Sequence, residues 1–240
     1  MIQTERHLAG LRTLIIGDLS SADQIVLLLH GYAMLPEDLA PFAQALQAGR
    51  TAYVLPQSNL PAPSGGGAWW RIDEAAKQRQ LMQGPRDLAE SEPEGLPAAR
   101  LGIERLLAEL FALAPGARLV LGGFSQGGML ACDVALHTAT PLDALFLLSA
   151  SMLTISRWRP LLTRLSARPV LVAHGRGDDN LALAAGERLR DALTAAGAQV
   201  RWVPFDGGHQ IPPTVWRHLR RFLGERAAVD AHLRTPAKPS

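Results

Sequence analysis

Seven short runs rich in Val, Leu and Ile punctuate the chain, near residues 11–16, 25–30, 51–55, 118–123, 143–149, 169–174 and 199–205. Continuous apolar runs of this length predict strands covered on both faces rather than half-exposed ones. Between most of them apolar positions recur at helical spacing, over residues 36–48, 96–114, 126–137, 181–196 and 211–223. Strands alternating with helices predict an α/β architecture, a mostly parallel central sheet of about seven strands with helices on both faces. The longest region without a clear strand is the Gly/Pro-rich stretch 56–67 with the polar segment that follows it to residue 95. Connections that long in a compact domain tend to be functional or mobile.

The length of 240 residues suits one large domain that buries about three quarters of its unfolded surface. We assign that domain to residues 1–224 and expect 225–240, which ends Pro236-Ala237-Lys238-Pro239-Ser240, to be a flexible tail. Basic residues number 24 against 22 acidic ones, a net charge of +2. They are scattered along the chain, which gives nucleic-acid binding no support. Arg157, Arg159, Arg164 and Arg168 cluster at helical spacing, the pattern of a solvated face. The one cysteine, Cys132, excludes an internal disulfide and reads as a buried thiol. Residues 1–10 lack the apolar core and cleavage site of a signal peptide, and no run has the length of a membrane span. We therefore expect a cytoplasmic protein without stable membrane insertion. A homodimer is compatible with the sequence, which does not specify one.

Directly after the run at 118–122 stands Gly123-Phe124-Ser125-Gln126-Gly127, followed by a helical segment. Gly-x-Ser-x-Gly between strand and helix is a nucleophile elbow, which exposes the serine hydroxyl beside the free N–H groups of a helix N-terminus. A serine hydroxyl is a weak nucleophile at neutral pH, so Ser125 needs a base and a third group to orient that base. In folds with this elbow the chain order is serine, acid, histidine. His209, in the glycine-rich loop Asp206-Gly207-Gly208-His209 before the last helix, fits the base. His174 ends a strand and precedes the acid candidates, His30 comes too early, His137 and His218 lie on helices, and His7 and His232 lie near the termini. The acid should follow the strand at 169–174. There we take Asp178, with Asp179 as its main rival, and read Asp206 as a cap or turn former. Two backbone amides should meet the oxyanion, that of Gln126 after the nucleophile and that of Tyr32 in the loop after Leu29-His30-Gly31.

The chain resembles the phospholipase/carboxylesterase family of small α/β-hydrolases, which includes bacterial carboxylesterases and acyl-protein thioesterases. The matching motifs are Leu29-His30-Gly31, Ala68-Trp69-Trp70, Gly122-Gly123-Phe124-Ser125-Gln126-Gly127-Gly128, His174-Gly175-Arg176-Gly177-Asp178 and Gly208-His209. The resemblance implies the α/β-hydrolase fold and the same assignment as above: Ser125 nucleophile, Asp178 acid, His209 base, Tyr32 and Gln126 oxyanion donors. It departs from the family at Ala33-Met34-Leu35-Pro36, where a further glycine is usual, and at Asp179-Asn180-Leu181, where a proline and apolar residues are usual. Both departures bear on substrate preference and neither removes a reacting group.

Trp69 and Trp70, adjacent in a loop, fit a wall of an acyl pocket with Met34, Leu35, Met152 and Leu153, the alternative being plain core. The expected activity is hydrolysis of a small-molecule substrate, a small to medium acyl ester with thioesters and lysophospholipids in range, through a Ser-His-Asp triad and an acyl-enzyme. No metal or organic cofactor is required, because the spacings of His174, Asp178, Asp179 and His209 match no compact ligand motif. An acyltransferase on the same residues and a non-catalytic ligand-binding protein on the same fold are the alternatives.

Overall fold

The computed structural model describes residues 2–46 and 49–233. Its strands are β1 (Gln3–Leu8), β2 (Leu11–Ile16), β3 (Gln24–Leu29), β4 (Thr51–Pro56), β5 (Leu60–Pro61), β6 (Gly67–Ala68), β7 (Arg118–Phe124), β8 (Ala144–Leu148), β9 (Pro169–Gly175) and β10 (Gln199–Phe205). Its helices are α1 (Pro36–Ala45), α2 (Glu74–Leu81), α3 (Leu96–Leu113), α4 (Gln126–His137), α5 (Ile155–Trp158), α6 (Leu183–Ala195) and α7 (Pro213–Leu233).

Eight strands form one sheet in the order β1-β2-β4-β3-β7-β8-β9-β10, and β5 pairs with β6 in a separate hairpin. From β4 to β10 the pairing is parallel, while β1 and β2 run antiparallel at one edge. The sheet thus has one strand more than the seven apolar runs. The addition is β1, whose residues are exposed except Leu8, so it carries no apolar run to be read.

Alternation along the strands builds two cores. In β3, Ile25, Leu27 and Leu29 belong to the core on one side of the sheet, with Leu106 and Leu107 of α3, Leu130 of α4 and Leu189 of α6. Val26 and Leu28 face the other side, with Leu39 and Phe42 of α1 and Leu219 and Phe222 of α7. A strand apolar on both faces is what a sheet covered by helices on both sides requires. The last helix passes the expected boundary at residue 224 and continues to Leu233, and residues 234–240 of the expected tail lie outside the described residues.

After β3 the chain steps outward to β4, then returns to the other side of β3 as β7. Strand order therefore reverses between β3 and β7. In open parallel sheets the crevice at the carboxyl ends of such a pair is where ligands bind. Ser125 follows β7, and the loop holding Tyr32 follows β3.

Candidate active site

Ser125 sits between β7 and α4 at φ 53°, ψ −117°, a conformation non-glycine residues seldom adopt. Its amide donates to Leu148 O at 2.8 Å and its carbonyl accepts from the Met129 amide at 3.0 Å. The turn closes only because its neighbours lack side chains. A Cβ at Gly127 would lie 2.3 Å from Leu29 O and 2.4 Å from His30 O, and one at Gly123 would lie 2.4 Å from the Gly127 carbonyl. The two outer glycines of the motif are thus needed for close backbone approach.

The Ser125 hydroxyl lies 2.8 Å from His209 Nε2, and His209 Nδ1 lies 2.7 Å from Asp178 Oδ2. Asp178 is buried, and its Oδ1 accepts from the amides of Asn180 at 2.9 Å and Leu181 at 2.8 Å. Burial pulls its pKa upward. The hydrogen bond from His209, that ring's charge and the two amides more than offset this and hold the carboxyl below its ordinary value. An acceptor-only carboxylate on Nδ1 makes that nitrogen the donor and leaves Nε2 as an acceptor for the serine hydroxyl. Neither rival acid reaches the histidine: Asp179 is exposed, and Asp206, 98% exposed, pairs with Arg176 at 3.4 Å.

The loops that carry Asp178 and His209 are laced together. Arg176 N donates to Phe205 O and Gly177 N to Gly207 O, both at 2.9 Å. A Cβ at Gly175 would lie 2.4 Å from Gly208 O. His174, buried beneath this turn, donates from Nε2 to Leu181 O at 3.0 Å and stands 3.5 Å from Asp178 Oδ2. Burial depresses its pKa and keeps the ring neutral.

Neither the Tyr32 nor the Gln126 amide donates a hydrogen bond within the described residues. Gln126 opens α4, so its N–H has no acceptor one turn earlier in the helix. The loop carrying Tyr32 is held from outside. Ala33 N donates to Gly67 O at 2.8 Å, Gly67 N to Met34 O at 2.9 Å, and Trp69 Nε1 to His30 O at 2.8 Å. His30 accepts from the Ser58 amide on Nε2 at 3.1 Å and contacts Gly31 O through Nδ1 at 2.7 Å, so Nδ1 is the protonated nitrogen. The Gln126 side chain adds a function that sequence reading missed: it accepts from Trp69 N and donates to Trp70 O, each at 2.9 Å. It clips the tryptophan loop to the elbow helix as a strand neighbour would.

A cleft of about 670 Å³ opens over Ser125, His209 and Gln126. Its walls correct the expected pocket. Trp70 and Leu153 line it, joined by Met129, Leu88, Ile72 and Leu181. Trp69 instead packs against the His30 ring, centroids 4.9 Å apart, beneath the Tyr32 loop. Met152 borders a different hollow, against α6. Met34 packs into the α1 side of the core, and Leu35, 42% exposed, precedes α1. The polar wall, from Arg71 to Gln80, is mostly α2, which buries none of its residues. Tyr32 joins it, with Lys77 Nζ 5.0 Å from its ring centroid, and burial together with the Glu74 carboxylate pushes its phenol up to about 12. Among the described residues no three His, Cys, Asp or Glu gather as a metal site would require.

The sequence model of the phospholipase/carboxylesterase family matches residues 13–226. The chain belongs to that family. Its sheet is that of an α/β-hydrolase. Acyl-protein thioesterase 1 of Neurospora crassa is 29% identical over 116 residues, 47% of this chain and 47% of the relative. The matched stretch therefore spans about half the length of this curated relative, as it does for the Gibberella zeae protein of the same name. Among solved structures, esterase PE8 superposes with a TM-score of 0.75 at 24% identity, covering 94% of this chain and 99% of its own. Zea mays acyl-protein thioesterase 2 superposes at 0.70 and 22% identity, covering 90% and 98%. These two likenesses concern the fold. Among the described residues, no helix is long and apolar enough to cross a membrane.

Proposed function

We propose that this protein hydrolyses carboxylic esters through an acyl-enzyme on Ser125. The observation that carries this is the hydrogen-bonded series from Ser125 Oγ to His209 Nε2 at 2.8 Å and from His209 Nδ1 to Asp178 Oδ2 at 2.7 Å. As Oγ attacks the ester carbon, its proton passes to Nε2, and the imidazolium is stabilised by the Asp178 carboxylate. The carbonyl oxygen becomes an oxyanion facing the free amides of Tyr32 and Gln126. When the carbon–oxygen bond to the leaving group breaks, Nε2 returns its proton to that alkoxide and the acyl group stays on Oγ. Water then repeats the sequence, giving its proton to Nε2 and releasing the acid.

The apolar wall of Trp70, Met129 and Leu153 suits a small to medium acyl group. The acyl-protein thioesterase relatives extend the range to thioesters, whose carbonyl meets the same groups, and the family to lysophospholipids. A cytoplasmic setting suits a chain whose one cysteine is a buried free thiol.

Ser125→Ala should lower kcat on p-nitrophenyl butyrate by roughly 10⁴- to 10⁶-fold, the scale of losing a catalytic serine. A fluorophosphonate probe should label the wild type and miss the variant. Labelling that persists in Ser125→Ala would refute the assignment.

A further inference from the structure

Three cations line the Ser125 cleft, Arg71, Lys77 and Arg86, together with three carboxylates, Asp73, Glu74 and Glu92. The carboxylates already have partners. Asp73 accepts from the Ala76 amide at 2.9 Å, Glu74 lies 3.4 Å from Lys77 Nζ, and Glu92 lies 2.8 Å from Arg157 Nη2. Arg86 is placed differently. It is half-buried, and among the described residues it forms no ion pair.

Its guanidinium is held by Asn180, with Nε donating to the Asn180 carbonyl at 3.4 Å and Nη2 to Oδ1 at 2.5 Å. The backbones are joined as well: Arg86 N donates to Asn180 O at 3.1 Å, and Ala182 N donates to Arg86 O at 2.9 Å. The fork is therefore fixed before anything binds, and Nη1 has no partner within the described residues. Burial lowers the guanidinium pKa, and the charges of Glu74 and Asp178 offset this only in part. A partly desolvated cation that no carboxylate contacts is an unfavourable arrangement that an incoming anion relieves. A rigid guanidinium loses little further entropy in capturing one.

We propose that Arg86 binds an anionic group of the substrate, a carboxylate or phosphate on the ester turned over at Ser125, with exposed Arg71 adding attraction at the cleft rim. This rests on the ester-hydrolase reading above and narrows it to charged esters.

Matched pairs of esters test it. 4-Carboxyphenyl butyrate against 4-carbamoylphenyl butyrate puts the charge on the leaving group. Mono-p-nitrophenyl adipate against its terminal amide puts it on the acyl side. 4-(Butyryloxy)phenyl phosphate against phenyl butyrate replaces carboxylate by phosphate. In at least one pair the wild type should favour the anion in kcat/KM by about tenfold, the yield of one charge-assisted hydrogen bond. That preference should shrink as salt is raised. Arg86→Gln should bring the ratio to about one while the neutral ester serves as reference, so a general loss from disturbing the Asn180 turn cancels. Arg86→Met repeats the measurement if the glutamine variant does not fold. No anionic preference in the wild type, or a preference that both uncharged variants retain, overturns the proposal. If the wild type cleaves none of these esters and Ser125 takes no fluorophosphonate, the hydrolase reading itself falls, and this inference with it.

Discussion

The loops that carry Ser125, Asp178 and His209 and the wall formed by residues 57–95 enclose the same cleft, but they are held in different ways. The first group is anchored in buried backbone: Gly127 lies against the Leu29 and His30 carbonyls, Gly175 lies against Gly208, and Asp178 is capped by two amides. The wall divides. Its inner part, the tryptophan loop from which Trp70 lines the cleft, is clipped to the elbow by Gln126, whereas its outer part, α2, buries no residue. Groups that must stay within fractions of an ångström of the reacting atoms are fixed by close packing. The surface that meets the remainder of the substrate is free to vary, as loop-borne specificity elements are.

The sharpest way to break this contrast is at Asp178. Asp178→Asn keeps an oxygen for the Asn180 and Leu181 amides but turns an NH₂ toward His209, which forces the wrong tautomer. We expect kcat to fall about 10⁴-fold with little change in KM, measured on p-nitrophenyl butyrate. Retention of full activity would place the acid elsewhere.

The two tryptophans separate support from wall. Trp69→Ala removes a buried ring and orphans the His30 carbonyl, and should destabilise the fold by about 3–5 kcal/mol in urea denaturation. Trp70→Ala should instead shift the acyl-length profile of p-nitrophenyl esters toward longer chains. An unshifted profile would take Trp70 out of the acyl site.

A smaller effect is expected from acid. The Asp178 pKa is lowered in the folded state, so its stabilising contribution is fully present above the ordinary aspartate value of about 3.9. It is lost as pH falls through the lower folded value. Denaturation midpoints of the wild type should therefore drop more steeply below about pH 4 than those of Asp178→Asn. Parallel curves would show that the carboxylate is not stabilised in its ionised form.

The smallest effect belongs to α2. Lys77→Ala removes an i,i+3 contact with Glu74 and should cost no more than about 0.5 kcal/mol. A loss several times larger would mean that α2 is as firmly built as the elbow, and the contrast would fail.

Among the described residues, seven of the eight main-sheet strands and five of the seven α-helices were legible as apolar runs and helical periods, because a sheet buried on both faces must write itself in Val, Leu and Ile. Strand β1 and helix α2 were not, since an exposed edge strand and a helix without buried residues need no apolar pattern. At the site, the elbow glycines and the Gly-Gly-His loop were visible because tight backbone approach tolerates few residues. Arg86 carried no local signal: its meaning depends on Asn180, 94 residues away.

By itself, then, the sequence determined the α/β layering and the family, and marked the elbow at Ser125 and the loop of His209, since those follow from periodicity and from motifs that local sterics enforce. Only the tertiary structure decided that Asp178 and not Asp179 or Asp206 meets His209, that Trp70 lines the cleft while Trp69 supports the Tyr32 loop, and that Arg86 faces the cleft without an ion-pair partner among the described residues. Those outcomes depend on which distant segments converge at the β3–β7 switch point, and convergence across the fold leaves no periodic trace in the chain.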